Sequence, residues 1–266
     1  MESGPKENYR TALLFVGALA LRLALLYIFQ PLTVRGDEFN YWRLSRDVLA
    51  GSYTEIFFLP LWPHVIAAST ALWDSQTAPR LVAIVLGSLN VALVYRIGLR
   101  VFDGRAAFVA GLLYALYPEH AFFSSYVYAE VLLESFILAG VAVFFGRWPA
   151  MPGPGRAAAA FFILGVGTLC KHFTVIAWAA LLIAVFMSGS GRKARLYGAA
   201  LIYFIPALLF SAWAGAKAGD PFAMINTPIK SALEWQQKPG MGFSLNERND
   251  LLTEGLSKRK SQTLGK

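Results

Sequence analysis

Long apolar runs alternate with short polar loops along most of the chain. A helix needs about 20 apolar residues to cross the hydrocarbon core of a bilayer. Seven runs are candidates for such crossings, the third and fifth being short: residues 12–30, 79–100, 106–118, 127–146, 157–170, 173–188 and 197–215. The pattern therefore predicts an all-α fold, a polytopic bundle of transmembrane helices.

An eighth apolar run, residues 57–73, is interrupted by Pro60 and Pro63, and the distribution of positive charge decides whether it crosses. If it lies at the membrane interface, every short loop on one side of the membrane is basic, as the positive-inside bias requires. If it crossed, three basic loops would face outward. We therefore predict an interfacial element and a cytoplasmic N-terminus. The residues predicted on the cytoplasmic side are Lys6, Arg10, Arg96, Arg100, Arg105, Arg147, Arg156, Arg192, Lys193 and Arg195.

This topology places another set of polar residues on or near the external face, including all three histidines of the chain. Scattered structural residues would have no reason to segregate in this way. The set is Asp37, Glu38, Glu55, His64, Glu119, His120, Glu130, Lys171, His172 and Asp220. The prediction is a multi-pass protein of a bacterial inner or plasma membrane. Residues 1–215 would form its transmembrane domain, and residues 216–266 a polar external tail.

Composition agrees with this prediction. The chain is 56% hydrophobic and 15% charged, whereas a soluble domain carries roughly 25% charged residues. The net charge of +8 would suggest nucleic acid in a soluble protein, but here lysine and arginine gather in short loops. Topology and membrane lipid explain that charge better, so no nucleic-acid partner is expected. The single cysteine, Cys170, permits no internal disulfide.

The adjacent carboxylates Asp37 and Glu38 follow the first apolar run. Two acids at a membrane surface are costly unless they face water, a metal or a substrate. A carboxylate near an acceptor hydroxyl can accept its proton, so the pair is a candidate catalytic base. A solvated loop is the alternative. The neighbouring Tyr41 and Trp42 are typical of membrane interfaces and fit either interpretation.

Glu130 and Glu134 are four residues apart, so they share one face of the fourth predicted crossing. Acids within a membrane are functional candidates by default, and each needs a partner. Arg22 lies about 12 Å below the outer end of the first crossing, at a depth similar to that of Glu134. We therefore predict a structural Arg22–Glu134 ion pair, which would leave Glu130 free to face the site.

Lys171 and His172 occupy a tight turn between two apolar runs. They either cap helices or supply a cation for a phosphate, which lysine binds as a compact charge. His64 and His120 are candidate metal ligands, proton carriers or interfacial side chains. Three histidines without regular spacing are a weak metal motif, so the sequence does not decide whether a divalent metal is bound.

The stretch 58–64 combines aromatic residues with two prolines, which forbid a regular helix through it. Irregular backbone at membrane depth is tolerated where it lines a cavity. A substrate groove is one interpretation and a plain interfacial turn the other. The predicted groove residues are Tyr41, Trp62, His64 and His120.

Several short motifs, in this order, resemble the GT-C superfamily of membrane glycosyltransferases. The superfamily includes protein O-mannosyltransferases, aminoarabinose transferases and the second mannosyltransferase of glycolipid-anchor synthesis. The motifs are the acidic pair at 37–38, Leu44 to Gly51, Phe58 to Pro63, Pro79 to Leu81, Phe102 to Arg105, Leu116 to Pro118, Ser125 to Glu130, and Gly219 to Ala223. The resemblance covers roughly residues 13–223.

The resemblance implies a GT-C-like fold and a polyprenyl-phosphate-linked sugar donor. It implies transfer, usually inverting, to a lipid, glycan or protein acceptor at the external face. Asp37 would be the acceptor base, Glu130 a second acid near donor phosphate or metal, and Lys171, beside His172, the cation facing the phosphate. Family members are usually longer, so an inactive truncated relative is one alternative. A non-catalytic lipid-binding or lipid-transport protein is the other.

Overall fold

The computed structural model describes residues 4–29, 37–54, 58–73, 75–146 and 150–219. These ranges contain helices and no strand, which confirms the all-α prediction. The helices are α1 (Pro5–Phe29), α2 (Asp37–Leu49), α3 (Leu61–Leu72), α4 (Thr77–Val101), α5 (Gly104–Leu116), α6 (Pro118–Phe123), α7 (Glu130–Phe144), α8 (Pro154–Gly167), α9 (Thr174–Met187), α10 (Lys193–Ala200) and α11 (Phe204–Ala218). A 3-10 turn, Leu201–Tyr203, joins α10 to α11.

Three helical stretches are long and apolar enough to cross a membrane: Pro5–Phe29, Thr77–Val101 and Lys193–Lys217, the last combining α10 and α11. The other predicted crossings correspond to α5, α7, α8 and α9, which have 13 to 15 residues each. At 1.5 Å per residue they extend roughly 20–23 Å, less than the hydrocarbon core of about 30 Å. The predicted interfacial element corresponds to α3, which has 12 residues and is of similar length to these four helices.

The helices pack side by side in a row, and α4 and α7 lie at its centre. One buried cluster joins α1, α4 and α5 around Leu14, Val91 and Tyr95. A second joins α2, α3, α4 and α7 around Tyr41 and Trp62, and a third joins α7 through α10. Large apolar side chains on the outer faces stay exposed, for example on α1, α9 and α11. Such surfaces are typical of helices that face lipid.

The two ends of the bundle differ in charge. At one end, Arg10 Nη1 donates to the Gly104 carbonyl over 3.4 Å and Arg96 Nη1 donates to Asn8 Oδ1 over 3.4 Å. We call it the basic end, defined by Arg10, Arg96, Arg100 and Arg156. At the other end, the Phe29 and Phe122 rings meet at 5.7 Å, and Leu61 N donates to Leu169 O over 3.0 Å. We call it the carboxylate end, defined by Asp37, Glu38, Glu119 and Glu130.

Two local predictions are corrected. The acidic pair does not lie in a loop, because Asp37 and Glu38 form the first turn of α2. The prolines of 58–64 do not prevent a regular helix, because α3 begins at Leu61 and has Pro63 in its first turn. A missing N–H costs nothing there, since the first N–H groups of a helix have no intrahelical partner. Predictions for Glu55, Arg147, Asp220 and the tail beyond residue 219 lie outside the described residues.

Close approach of α8 to the 3-10 turn depends on Gly165. A Cβ atom at this position would lie 2.4 Å from the Tyr203 carbonyl oxygen, a backbone atom that cannot rotate away. We expect Gly165→Ala to destabilise the protein by about 1–3 kcal/mol, the usual range for overpacking. Thermal unfolding in detergent, followed by tryptophan fluorescence, measures this change.

Gly155→Ala is the matched control, because it makes the same substitution in the first turn of the same helix, where no atom lies within 4 Å of a new Cβ. Its unfolding midpoint should equal or exceed that of the wild type, since alanine favours helix. Equal midpoints for Gly165→Ala and the wild type would contradict the close packing.

Candidate active site

The two adjacent acids at the start of α2 point to different environments. Asp37 is exposed, whereas Glu38 is completely buried. Glu38 Oε1 accepts a hydrogen bond from Arg80 Nη2 at 3.1 Å and lies 3.4 Å from the donating Val127 N. The predicted catalytic role of Glu38 is therefore corrected: the side chain forms a buried ion pair that fixes α2 to α4 and to the turn before α7.

Arg80 has a role in this region that the sequence motifs do not predict, although the charge pattern contains a signal for it. Arg80 lies at the start of α4, on the side that is predicted to be external and therefore poor in basic residues. An arginine that breaks this bias and enters an apolar helix needs an acid as its partner. Glu38 is this partner: the two side chains form a buried ion pair, and their exposures are 0% for Glu38 and 8% for Arg80.

Asp37 and Glu130 both lie within electrostatic range of two tyrosines, Tyr41 of α2 and Tyr128 of the turn before α7. Burial raises the pKa of the Tyr41 phenol above its usual range, and the charges of Glu130 and Asp37 raise it further. Burial likewise raises the pKa of Tyr128, together with the charges of Glu38, Asp37 and Glu130. Both carboxylates thus lie within electrostatic range of the same two tyrosines, although 93 positions separate them in the chain.

Glu130 begins α7 and forms an ion pair with Lys171, which lies in the turn between α8 and α9. Both side chains are partly exposed, and Glu130 Oε2 has no hydrogen-bond partner. His172 follows Lys171 in the same turn and is exposed. Two carboxylates, Asp37 and Glu130, and the ammonium group of Lys171 therefore lie at the carboxylate end.

Two of the four predicted groove residues are buried in the protein core, which corrects their assignment. Trp62 is 0% exposed and its Nε1 donates to the Val127 carbonyl at 3.1 Å. Tyr41 is 2% exposed and its ring packs edge-on against Phe58. Both rings belong to the buried cluster that joins α2, α3, α4 and α7. His64 is exposed, with its Nδ1 2.7 Å from the Pro60 carbonyl.

The predicted direct ion pair between Arg22 and Glu134 is wrong. Glu134 instead binds the Tyr114 hydroxyl at 2.7 Å and His120 Nδ1 at 2.9 Å. Arg22 is fully buried, donates to the Ala18 carbonyl at 3.3 Å, and lies within electrostatic range of Glu134 and Tyr114. Tyr114 and His120 stack on each other. Tyr114 thus takes the contact predicted for Arg22, and His120 belongs to this cluster.

The donor set fits a resident metal ion poorly. Within the described ranges, no group of three or more histidine, cysteine, aspartate or glutamate side chains is arranged to hold a metal. Asp37 and Glu130 are two carboxylates, and one of them already neutralises Lys171. A site made by the protein alone usually needs more oxygen or nitrogen ligands than this, whereas Mg²⁺ that also binds substrate phosphates needs only one or two carboxylates.

Comparison with known proteins gives one match. Residues 59–215 match the family model described as dolichyl-phosphate-mannose-protein mannosyltransferase. No curated protein and no solved structure matches the chain. The matched segment covers more than half of the 266 residues. It runs from α3 to α11 and includes Glu130 and Lys171, whereas Asp37 precedes it. The chain is a GT-C-type membrane glycosyltransferase that belongs to the dolichyl-phosphate-mannose-protein mannosyltransferase family.

Proposed function

We propose that this protein transfers a sugar, mannose-like or another hexose or pentose, from a polyprenyl-phosphate donor to a lipid, glycan or protein hydroxyl. The observation that carries the proposal is that exposed Asp37 lies at the same end of the bundle as the Glu130–Lys171 ion pair, with Asp37 and Glu130 both within electrostatic range of Tyr41 and Tyr128. This arrangement offers a base for the acceptor and a cation for the departing phosphate. Family membership supports the same class of reaction.

Asp37 acts as the general base. The acceptor hydroxyl gives its proton to the Asp37 carboxylate as its oxygen attacks the anomeric carbon of the donor sugar. The bond between that carbon and the phosphate oxygen breaks, and the lipid phosphate leaves with the electron pair. A single displacement of this kind inverts the anomeric centre. Proton transfer by a positioned side chain contributes typically about 10²–10⁴-fold to a rate.

Lys171 stabilises the charge that develops on the leaving phosphate. Its ammonium group has three N–H donors, so the ion pair with Glu130 leaves donors for a phosphate oxygen. Glu130 holds the ammonium group in place before donor binds. Tyr41 and Tyr128 stay protonated because their pKa values are raised, so neither competes with Asp37 for the proton.

The carboxylate end would face the exterior and the basic end the cytoplasm. The support is the segregation of charge: Arg10, Arg96, Arg100 and Arg156 share the basic end, and cytoplasmic loops are enriched in arginine and lysine. In this orientation a donor presented in the outer leaflet reaches Lys171 and Asp37 directly. The released lipid phosphate stays in the membrane.

A donor comparison tests the proposed function. Purified protein in liposomes is given radiolabelled mannose either as a polyprenyl-phosphate sugar or as a nucleotide sugar, with membrane extract as the acceptor source. We expect label to enter the acceptor fraction from the lipid-linked donor alone. Transfer from the nucleotide sugar would assign another donor class. Transfer from neither donor would favour the non-catalytic alternative, a lipid-binding or inactive relative.

Lys171→Gln should weaken use of the donor. Loss of one charged hydrogen bond is worth about 1.5–3 kcal/mol, which corresponds to roughly a ten- to hundredfold fall in kcat/KM. We expect that fall when lipid-linked donor is varied and a smaller one when acceptor is varied. Lys217→Gln is the control, because it removes the same charge from an exposed position in the last turn of α11. Equal losses in both variants would contradict a specific role for Lys171.

A further inference from the structure

Three arginines meet at the basic end of the bundle. Arg96 and Arg100 are one turn apart on α4, and Arg156 lies in the first turn of α8. Arg96 and Arg156 are both within electrostatic range of Arg100. In the described ranges, none of the three forms an ion pair with a carboxylate. Like charges held together in this way repel each other unless an anion lies between them.

Neutral groups of the protein hold these guanidinium groups in place. Arg100 donates to the Ala142 carbonyl in the last turn of α7, and Arg96 donates to Asn8 Oδ1 at 3.4 Å. The Arg156 guanidinium lies against Gly146, with Nη1 3.2 Å from the position of a Cβ there. Each guanidinium has five N–H donors, so most remain available to a ligand. Their planar forks match the oxygens of a phosphate.

The surroundings favour the phosphate of a lipid over a free anion. Val101 and Phe102, directly after Arg100, expose 44% and 64% of their surfaces and could contact acyl chains. A cavity of about 370 Å³ adjoins Arg156, is lined by residues 150–156, and has Arg192 as a further cation. The arginines can therefore bind an anionic headgroup phosphate, and the cavity has space for the polar substituent of that headgroup. The exposed apolar side chains can contact the acyl chains.

We propose that the basic end binds one anionic phospholipid, with its headgroup phosphate between Arg96, Arg100 and Arg156. This site is at the opposite end of the bundle from Asp37 and does not depend on the proposed transfer reaction. The single negative charge of the headgroup reduces the repulsion among the three arginines at the junction of α4, α7 and α8. Bound lipid should therefore stabilise the bundle itself.

The test uses the full chain purified in neutral detergent. Thermal unfolding is measured with added phosphatidylglycerol, phosphatidylcholine or inorganic phosphate, and native mass spectrometry counts retained lipids. We expect phosphatidylglycerol to raise the unfolding midpoint and to be retained as one tightly bound molecule. Phosphatidylcholine and inorganic phosphate should do neither.

Arg100→Gln and Arg156→Gln should each weaken phosphatidylglycerol binding about fivefold. This factor corresponds to the roughly 1 kcal/mol of binding free energy that one basic residue contributes near an anionic lipid. Two variants are used so that one folded protein is available even if the other loses its packing. Arg105→Gln is the control, since Arg105 is exposed at the same end and outside the cluster. Equal weakening by Arg105→Gln, equal stabilisation by phosphatidylcholine, or full stabilisation by inorganic phosphate would each overturn the proposal.

Discussion

Asp37→Asn should reduce sugar transfer from a lipid-linked donor by about 10²–10⁴-fold while leaving the protein folded, because asparagine cannot accept the acceptor proton. Asp37 is exposed at the start of α2, and asparagine is nearly isosteric, so the variant changes little except the base. The decisive measurement is initial rate at saturating donor and acceptor. Donor binding, measured separately, should stay close to that of the wild type.

Asp47→Asn is the matched control for this experiment. It makes the same chemical change in the same helix, about 15 Å along the axis at 1.5 Å per residue. Its rate should equal that of the wild type. A further variant, Asp37→Glu, keeps the carboxylate on a longer side chain and should recover part of the activity lost in Asp37→Asn. If Asp37→Asn transferred sugar as fast as the wild type, the base would have to be another residue.

Arg80→Met should destabilise the protein by about 3–5 kcal/mol, the usual cost of leaving a buried charge without its partner. Glu38 has no access to solvent, so without Arg80 its carboxylate stays buried in the core with no charged partner. Glu38 Oε2 already has no hydrogen-bond partner, and no other described cation lies within ion-pair distance of it. The unfolding midpoint and free energy of unfolding in mild detergent give the measurement.

The double variant Glu38→Gln/Arg80→Met removes both charges and should be much more stable than the sum of the single variants implies. Contacting residues in a buried pair are strongly non-additive, which a double-mutant cycle detects. Glu38→Gln alone also separates the two roles considered for this residue. A catalytic Glu38 predicts a folded but inactive variant, whereas a structural Glu38 predicts that stability falls as well. Additive losses across the cycle would contradict the ion pair.

Much of the fold could be predicted from the types of residue and their order along the chain. Apolar runs 13 to 22 residues long, interrupted by basic loops, specify an all-α membrane bundle, because helices satisfy their own backbone hydrogen bonds in lipid. The same pattern separated the arginines of the basic end from the acids and histidines of the carboxylate end. Charge follows the membrane sides independently of how the helices pack.

Helix lengths were harder to predict, and packing is the reason. The run 127–146 reads as one span, but α7 begins only at Glu130 and ends at Phe144. The residues before it form a turn whose backbone binds Glu38 and Trp62. Such contacts join residues distant in the chain, so no local pattern reports them.

For this protein, the sequence by itself determined the helical class, the segregation of charge to two ends, and the set of acids and cations available for chemistry. Only the tertiary structure decided which members of that set work together. It buried Glu38 against Arg80 and left Asp37 exposed, although the two acids are neighbours with the same chemistry. Successive residues of a helix point about 100° apart, so one faces the core when the other faces out. Which of the two turns inward depends on where Arg80 lies, and that position is set by the packing of α4 against its neighbours.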